Sequence, residues 1–307
     1  KTQYSYNWDN NTYEFFSPNN LLSLYGDGKA TGNSYVNTYR SSVFQNTLTY
    51  DKTFNDKHHL NIVVGQSIEE RKNYSISASA TDWPYESLGS LNLAKTPTGA
   101  STSHTSYAAA SFFGRVSYDY MEKYLFTVST RYDGSSRFGS NKKWGVFPSF
   151  SVGWKINEES FLKDVDWLSL LKLRTSWGMA GNDRIGDYSY MALLGIYNTS
   201  WGDQIVSGTA PNRIANEDLQ WERTKSLDFG GDLSVFNNRI QLNFDYYINT
   251  TDNLLFSVPI PYTTGFSSYT TNVGSIRNKG WEIDLTTHNI EGKFNWSSSL
   301  NLSRNRN

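Results

Sequence analysis

The chain has 307 residues, a formal net charge of −1 and no cysteine. The balanced charge gives no electrostatic reason to expect nucleic acid, and the missing thiols exclude disulfides and thiolate metal sites. Aromatic residues make up 16% of the chain, led by 21 Tyr and 10 Trp, yet mean hydropathy is only −0.57. Strands with one apolar and one wet face produce that combination. No apolar run is long enough for a membrane helix, which leaves a membrane β-barrel open.

In chain order, the opening "KTQYSYNWDN" has neither Met nor a signal peptide, and the closing "NLSRNRN" follows an apparent strand, so a piece of a longer protein is expected. The segment "YGDGKATGN" at 25–33 is rich in oxygen ligands but lacks EF-hand spacing, and reads as a plain loop. His58 and His59 are adjacent, so their rings diverge and two separate solvated histidines are expected instead of a metal pair.

From there the period is two. In "HLNIVVGQSIEE" Leu60, Ile62, Val64 and Ile68 share one face and Asn61, Gly65, Ser67 and Glu69 the other. In "YLFTVSTRYD" Tyr124, Phe126, Val128 and Tyr132 alternate with Leu125, Thr127, Ser129, Arg131 and Asp133. Val146, Phe150, Val152, Trp154 and Ile156 continue the pattern. It returns around Leu171–Trp177, Leu227–Leu233, Ile240–Ile248, Trp281–Leu285 and Phe294–Leu302, about ten strands in all. The wet face of the later strands carries Asp228, Asp232, Asp245, Glu282 and Asp284.

The connections alternate in length. Tight turns fall at "TFNDKH", "YMEKY", "FNNR" and "NIEGKF", with a moderate link at "NEESFLKDVDW" that has room for one helical turn. Long segments fall at 74–107, 133–145, 180–220 and 250–272. Outer-membrane barrels have short periplasmic turns and long external loops, so the rhythm favours a transmembrane antiparallel up-and-down β-barrel over a soluble sandwich. Val128, Val152 and Phe244 are then expected to face lipid, and Tyr124, Tyr132, Trp154 and Trp281 to stand in aromatic girdles at headgroup level.

The blocks "RYDGSSRFG", "WGVFPSFSVGWKINEESFL", "LKLRTSWGMAGND", "NEDLQWERTKSLDFGGDLSVFNNRIQLNFDYYINTTDNLL" and "NVGSIRNKGWEIDL" resemble the barrel region of SusC/RagA-type TonB-dependent transporters of Bacteroidota. The resemblance runs in order from about Tyr107 to Asn307, and the first hundred residues are consistent with it but less distinctive. It implies an all-β chain contributing about ten strands to a 22-stranded outer-membrane barrel. Residues 1–307 would then be a partial barrel domain, with the plug, TonB box and terminal strands outside it. It further implies import of oligosaccharides or oligopeptides with a SusD-like surface lipoprotein as lid, driven through TonB.

The candidate chemistry is sparse. "DGSSRFG" superficially offers a nucleophile turn or a phosphate cradle. A nucleophile elbow needs a following helix with His and acid in reach, and a P-loop needs GK[ST]; neither is present, so no catalytic, cofactor or metal residue is assigned. Gly134 and Gly139 are expected to permit tight external turns. The sequons at Asn10, Asn198 and Asn249 carry no weight in a bacterial protein. Carboxylate pairs such as Glu282 with Asp284 read as a wet wall, not a glycosidase pair. Substrate or lid contact is expected from the long segments, at Trp83, Tyr85, Arg137, Tyr197 and Trp201. Two alternatives stay open: a SusC-like barrel acting as a structural subunit of a larger outer-membrane machine, and a soluble glycan-binding sandwich.

Overall fold

The computed structural model describes residues 1–19, 29–85 and 87–307, and among them the chain is built almost entirely of strands. Fifteen are present among the described residues: β1 (Thr2–Ser17), β2 (Thr31–Phe54), β3 (His58–Thr81), β4 (Thr96–Tyr120), β5 (Tyr124–Ser135), β6 (Trp144–Lys155), β7 (Leu168–Asn182) and β8 (Leu194–Trp201) come first. The rest are β9 (Gln204–Pro211), β10 (Glu222–Val235), β11 (Ile240–Asp252), β12 (Leu255–Pro259), β13 (Ser268–Asn272), β14 (Ser275–Ile290) and β15 (Trp296–Arg306). Single 3-10 turns sit at Leu91–Leu93, Ile156–Glu158 and Tyr262–Thr264, the second of them in the link where a helical turn has room.

Eleven strands form one sheet in the order β1-β2-β3-β4-β5-β6-β7-β10-β11-β14-β15, and β8-β9 and β12-β13 form separate two-stranded hairpins. The wall of about ten strands expected from the sequence corresponds to these eleven, and the two hairpins add four short strands outside the sheet. Both hairpins lie inside segments whose length marks them as loops. The segment 74–107 is likewise shorter as a loop than its sequence indicates, because β3 runs to Thr81 and β4 begins at Thr96.

The length rhythm of the connections is preserved. Asn55 and Asp56 both have positive φ, 50° and 51°, as the tight turn matched to strand twist requires, and Asn and Asp tolerate that region. Met121 and Glu122 adopt the same conformation, φ 54° and 56°, without that tolerance. The Met121 N–H donates to the Lys57 carbonyl at 2.6 Å, which helps hold the turn.

The chain divides into two compact units. In one, made of residues 2–45 and 67–109, Ala30, Ala80 and Trp83 form the buried core with Phe16 and Leu91 packed against it. In the other, Lys1 with residues 46–66 and 110–307, the buried core is Phe138, Phe147, Leu219 and Trp221. Along the strands of this second unit the large apolar side chains are exposed, including Val128 at 61%, Phe150, Leu173, Phe229 and Phe244. A soluble sheet would bury that face against a partner layer; an exposed apolar face of this extent needs a non-aqueous neighbour.

Candidate functional site

The loops of the larger unit are tied together by the end of β5. Ser135, 1% exposed, donates from Oγ to Asp183 Oδ2 at 2.7 Å, and it accepts the Arg137 backbone N–H at 3.3 Å. Arg137 Nε donates to Asp187 Oδ1 at 2.9 Å, and Nη1 donates to the Asp183 carbonyl at 3.2 Å. Beneath this polar clasp Phe138 and Leu219 are fully buried, and the Trp221 indole N–H donates to the Lys143 carbonyl at 3.0 Å. Segments distant in sequence, 135–147, 179–190 and 219–221, are thereby joined into one platform.

Of the glycines of "RYDGSSRFGS", Gly139 opens the 139–142 turn as expected, its carbonyl accepting the Lys142 N–H at 3.3 Å, whereas Gly134 acts by close approach within a strand. Gly134 lies inside β5, and a β-carbon there would come within 2.8 Å of the Trp144 ring; at Gly139 it would come within 2.5 Å of the Glu217 carbonyl. Neither has the positive φ that a glycine-dependent turn demands.

The residues expected to contact substrate or lid divide sharply. Trp83 is only 4% exposed; its ring meets Phe16 edge-on at 5.1 Å and its N–H donates to the Ser90 carbonyl at 3.0 Å. Its surface is used up by packing, so the assignment of Trp83 to ligand contact is corrected to a core role. Arg137 is an internal clasp as described. Tyr85 at 75% exposed, Tyr197 at 50% and Trp201 at 81% stand free, the last two on the β8-β9 hairpin, where they share one face with Val206.

The sheet of the larger unit has two chemically opposite faces. Register pairs Gly230 with Arg174 and with Asp245, putting one guanidinium among three carboxylates. Arg174 meets Asp245 through Nη1 at 2.6 Å and Nη2 at 2.8 Å, Asp232 through Nε at 3.1 Å, and Asp228 at 3.6 Å. Lys172 adds a contact to Asp232 at 3.5 Å. The wet wall is therefore an ion-paired network, and the sequence reading missed Arg174 as its centre; its place on the polar parity of "LKLRTSWG" was the available signal.

The opposite face carries Val128, Val152 and Phe244, all exposed. Tyr124 stacks on Trp154 at 6.4 Å and Tyr132 on Trp144 at 4.7 Å, while Trp281 is register partner of Tyr246. The polar tips of the first pair converge on Glu159: its Oε1 accepts the Tyr124 hydroxyl at 2.6 Å and the Trp154 indole N–H at 3.1 Å. The Tyr124 hydrogen bond, then that from Trp154, hold the Glu159 carboxyl below the ordinary carboxylate range.

His58 and His59 diverge as expected, but neither is idle. His58 Nδ1 pairs with the Tyr118 hydroxyl at 2.7 Å, and His59 bridges Asp119 at 2.8 Å and Asp51 at 3.2 Å. Among the described residues no group of three or more His, Cys, Asp or Glu side chains is arranged to hold a metal. Positions 25–28 of the oxygen-rich 25–33 segment lie outside the described residues.

An antiparallel sheet with an exposed apolar face, aromatic pairs bounding it and a charged opposite face is the wall of a membrane β-barrel. The family model "TonB dependent receptor-like, beta-barrel" matches residues 1–306, extending the likeness across the first hundred residues, and the chain belongs to that outer-membrane family. TonB-dependent receptor P39 of Formosa agariphila is 40% identical over 100% of this chain and 30% of its own length. TonB-dependent receptor SusC of Bacteroides thetaiotaomicron is 43% identical over 66% of this chain and 21% of its own. The RagAB peptide transporter structure matches with a TM-score of 0.90 at 30% identity, over 99% of this chain and 34% of that one. The chain thus spans about a third or less of the length of these relatives.

Proposed function

We propose that this chain is part of the wall of a TonB-dependent importer that takes up oligosaccharides or oligopeptides with a SusD-like surface lipoprotein. The observation that carries the reading is the two-faced sheet, apolar and exposed on one side and ion-paired on the other, in a chain related to SusC and RagAB. In this reading Val128, Val152 and Phe244 meet lipid, and Tyr124, Tyr132, Trp154 and Trp281 belong to the girdles. Arg174 and its carboxylates line the lumen of a larger, 22-stranded barrel.

Tyr85, Tyr197 and Trp201 are the proposed contacts for lid or cargo, because their rings are free to stack. The clasp through Ser135, Arg137 and Asp183 supports this by anchoring the segment that leads into the β8-β9 hairpin. In this reading uptake is energised through TonB.

The test is purification of the whole protein from its native membrane, with identification of any copurified lipoprotein and bound ligand and measurement of ligand uptake. Copurification of a lipoprotein lid with an oligosaccharide or oligopeptide, and uptake that collapses without TonB, is expected. A whole protein that assembles stably with other membrane subunits and takes up neither ligand would instead make this barrel a structural subunit.

A further inference from the structure

We infer that the apolar face carries a binding site for a phosphorylated lipid of the outer leaflet, formed by Lys279, Arg304 and Arg306 beside Tyr246 and Trp281. These five side chains line a hollow of about 250 Å³ on the larger unit. Register fixes their common face: Trp281 pairs with Tyr246 and with Arg304, and Lys279 pairs with Arg306. The same parity on β15 carries Leu300 and Leu302, 51% and 46% exposed, so the cations continue directly from the apolar band.

Their height along the strands is what gives them a ligand. From Trp296, the first residue of β15 after the short 291–295 turn, to Arg304 is eight steps, about 27 Å along a strand. Strand tilt reduces that to roughly the height of an outer-membrane apolar band. Arg304 and Arg306 therefore stand at the outer headgroup level, on the side of the long connections. Arg239, at the short-turn end, donates instead to the His288 and Asn289 carbonyls.

Among the described residues the lining of this hollow holds no carboxylate. The apolar-face positions of β14 and β15 hold no carboxylate, and on β11 that face ends in Asp252, which already pairs with Lys225 at 2.9 Å. Three cations converging on one hollow suit a phosphate, to which Arg and Lys make charge-assisted hydrogen bonds. Tyr246, Trp281 and Leu302 then offer an apolar surface to acyl chains, which a soluble anion would not use. The ligand is accordingly a phosphorylated glycolipid or phospholipid.

This site rests on the assignment of the apolar face to lipid and is independent of any cargo. The experiment uses the whole protein in detergent and measures binding of monophosphoryl lipid A and of its dephosphorylated form by native mass spectrometry. Monophosphoryl lipid A is expected to bind, the triple variant Lys279→Gln/Arg304→Gln/Arg306→Gln to lose at least roughly tenfold in affinity, and Lys163→Gln, in the exposed link between β6 and β7, to bind like the unmodified protein. Lys279→Gln alone, the milder change, is expected to lose part of the affinity while keeping the heat-modifiable gel mobility of the folded barrel. Equal binding by the folded variants, equal binding of the dephosphorylated lipid, or full displacement by millimolar inorganic phosphate each overturns the proposal. A Leu302→Cys variant carrying a fluorophore, reconstituted with lipid that bears a quencher, distinguishes failure of the lipid-facing assignment from failure of the site. No quenching removes the lipid-facing assignment itself, whereas quenching without phosphate-dependent binding removes the lipid site alone.

Discussion

Gly230 and Arg174 face each other across β7 and β10 so closely that a β-carbon at position 230 would lie 2.5 Å from the guanidinium carbon. The missing side chain is what lets one arginine reach Asp228, Asp232 and Asp245 together. Gly230→Ala is expected to push the guanidinium out of that geometry and destabilise the sheet by roughly 1–3 kcal/mol. Gly231→Ala, whose added methyl would meet Leu173 at an ordinary 3.6 Å, is the control and should be nearly silent. Urea unfolding in detergent, followed by tryptophan fluorescence, reads both.

The three carboxylates around Arg174 are unequal. Asp245 makes two short contacts, at 2.6 and 2.8 Å, whereas Asp228 is 3.6 Å away. Asp245→Asn should cost about 1–3 kcal/mol, and Asp228→Asn less than about 1 kcal/mol, as for a loose and partly exposed pair. Matching unfolding midpoints for the two variants would remove Arg174 from the centre of the network.

Glu159 predicts a pH signature. Its carboxyl is held below its ordinary value near 4.5, first by the Tyr124 hydroxyl and then by the Trp154 indole. A group depressed on folding contributes stability that is fully present above its unfolded pKa and is lost as pH falls through the folded one. The gap in unfolding midpoint between the native protein and Glu159→Gln should therefore be constant at neutral pH, shrink below about pH 4.5 and close in stronger acid. A gap independent of pH would mean the carboxylate charge is not what joins the two rings.

Phe138 is fully buried beneath the Ser135–Asp183 clasp. Phe138→Ala should cost about 3–5 kcal/mol locally, opening the 183–221 connection while the sheet persists. Limited proteolysis is expected to nick that connection in the variant and spare it in the native protein. Global loss of heat-modifiable mobility would show instead that the platform and the sheet fold as one unit.

Single cysteines test the faces. Val128→Cys, Val152→Cys and Phe244→Cys should react with a bilayer-soluble label and resist a water-soluble one, with the reverse at Thr127, Ser151 and Asn243. The register puts each member of the first set one residue from its counterpart, so a one-residue error in strand parity would exchange the two results.

Strand parity and the alternation of short and long connections are legible in the residue order alone, because a side-chain period of two assigns each residue to a face whatever its neighbours are. That order could not show the two hairpins within the long segments, since β8 and β9 are exposed on both faces and carry no one-sided pattern. The folded sheet supplies register, and register makes Arg174 the partner of three aspartates and Gly134 the seat of the Trp144 ring. Tertiary packing also withdraws Trp83 from the surface. A loop aromatic reads the same in sequence whether it is free or packed, and the difference lies in chain segments that only folding brings beside it.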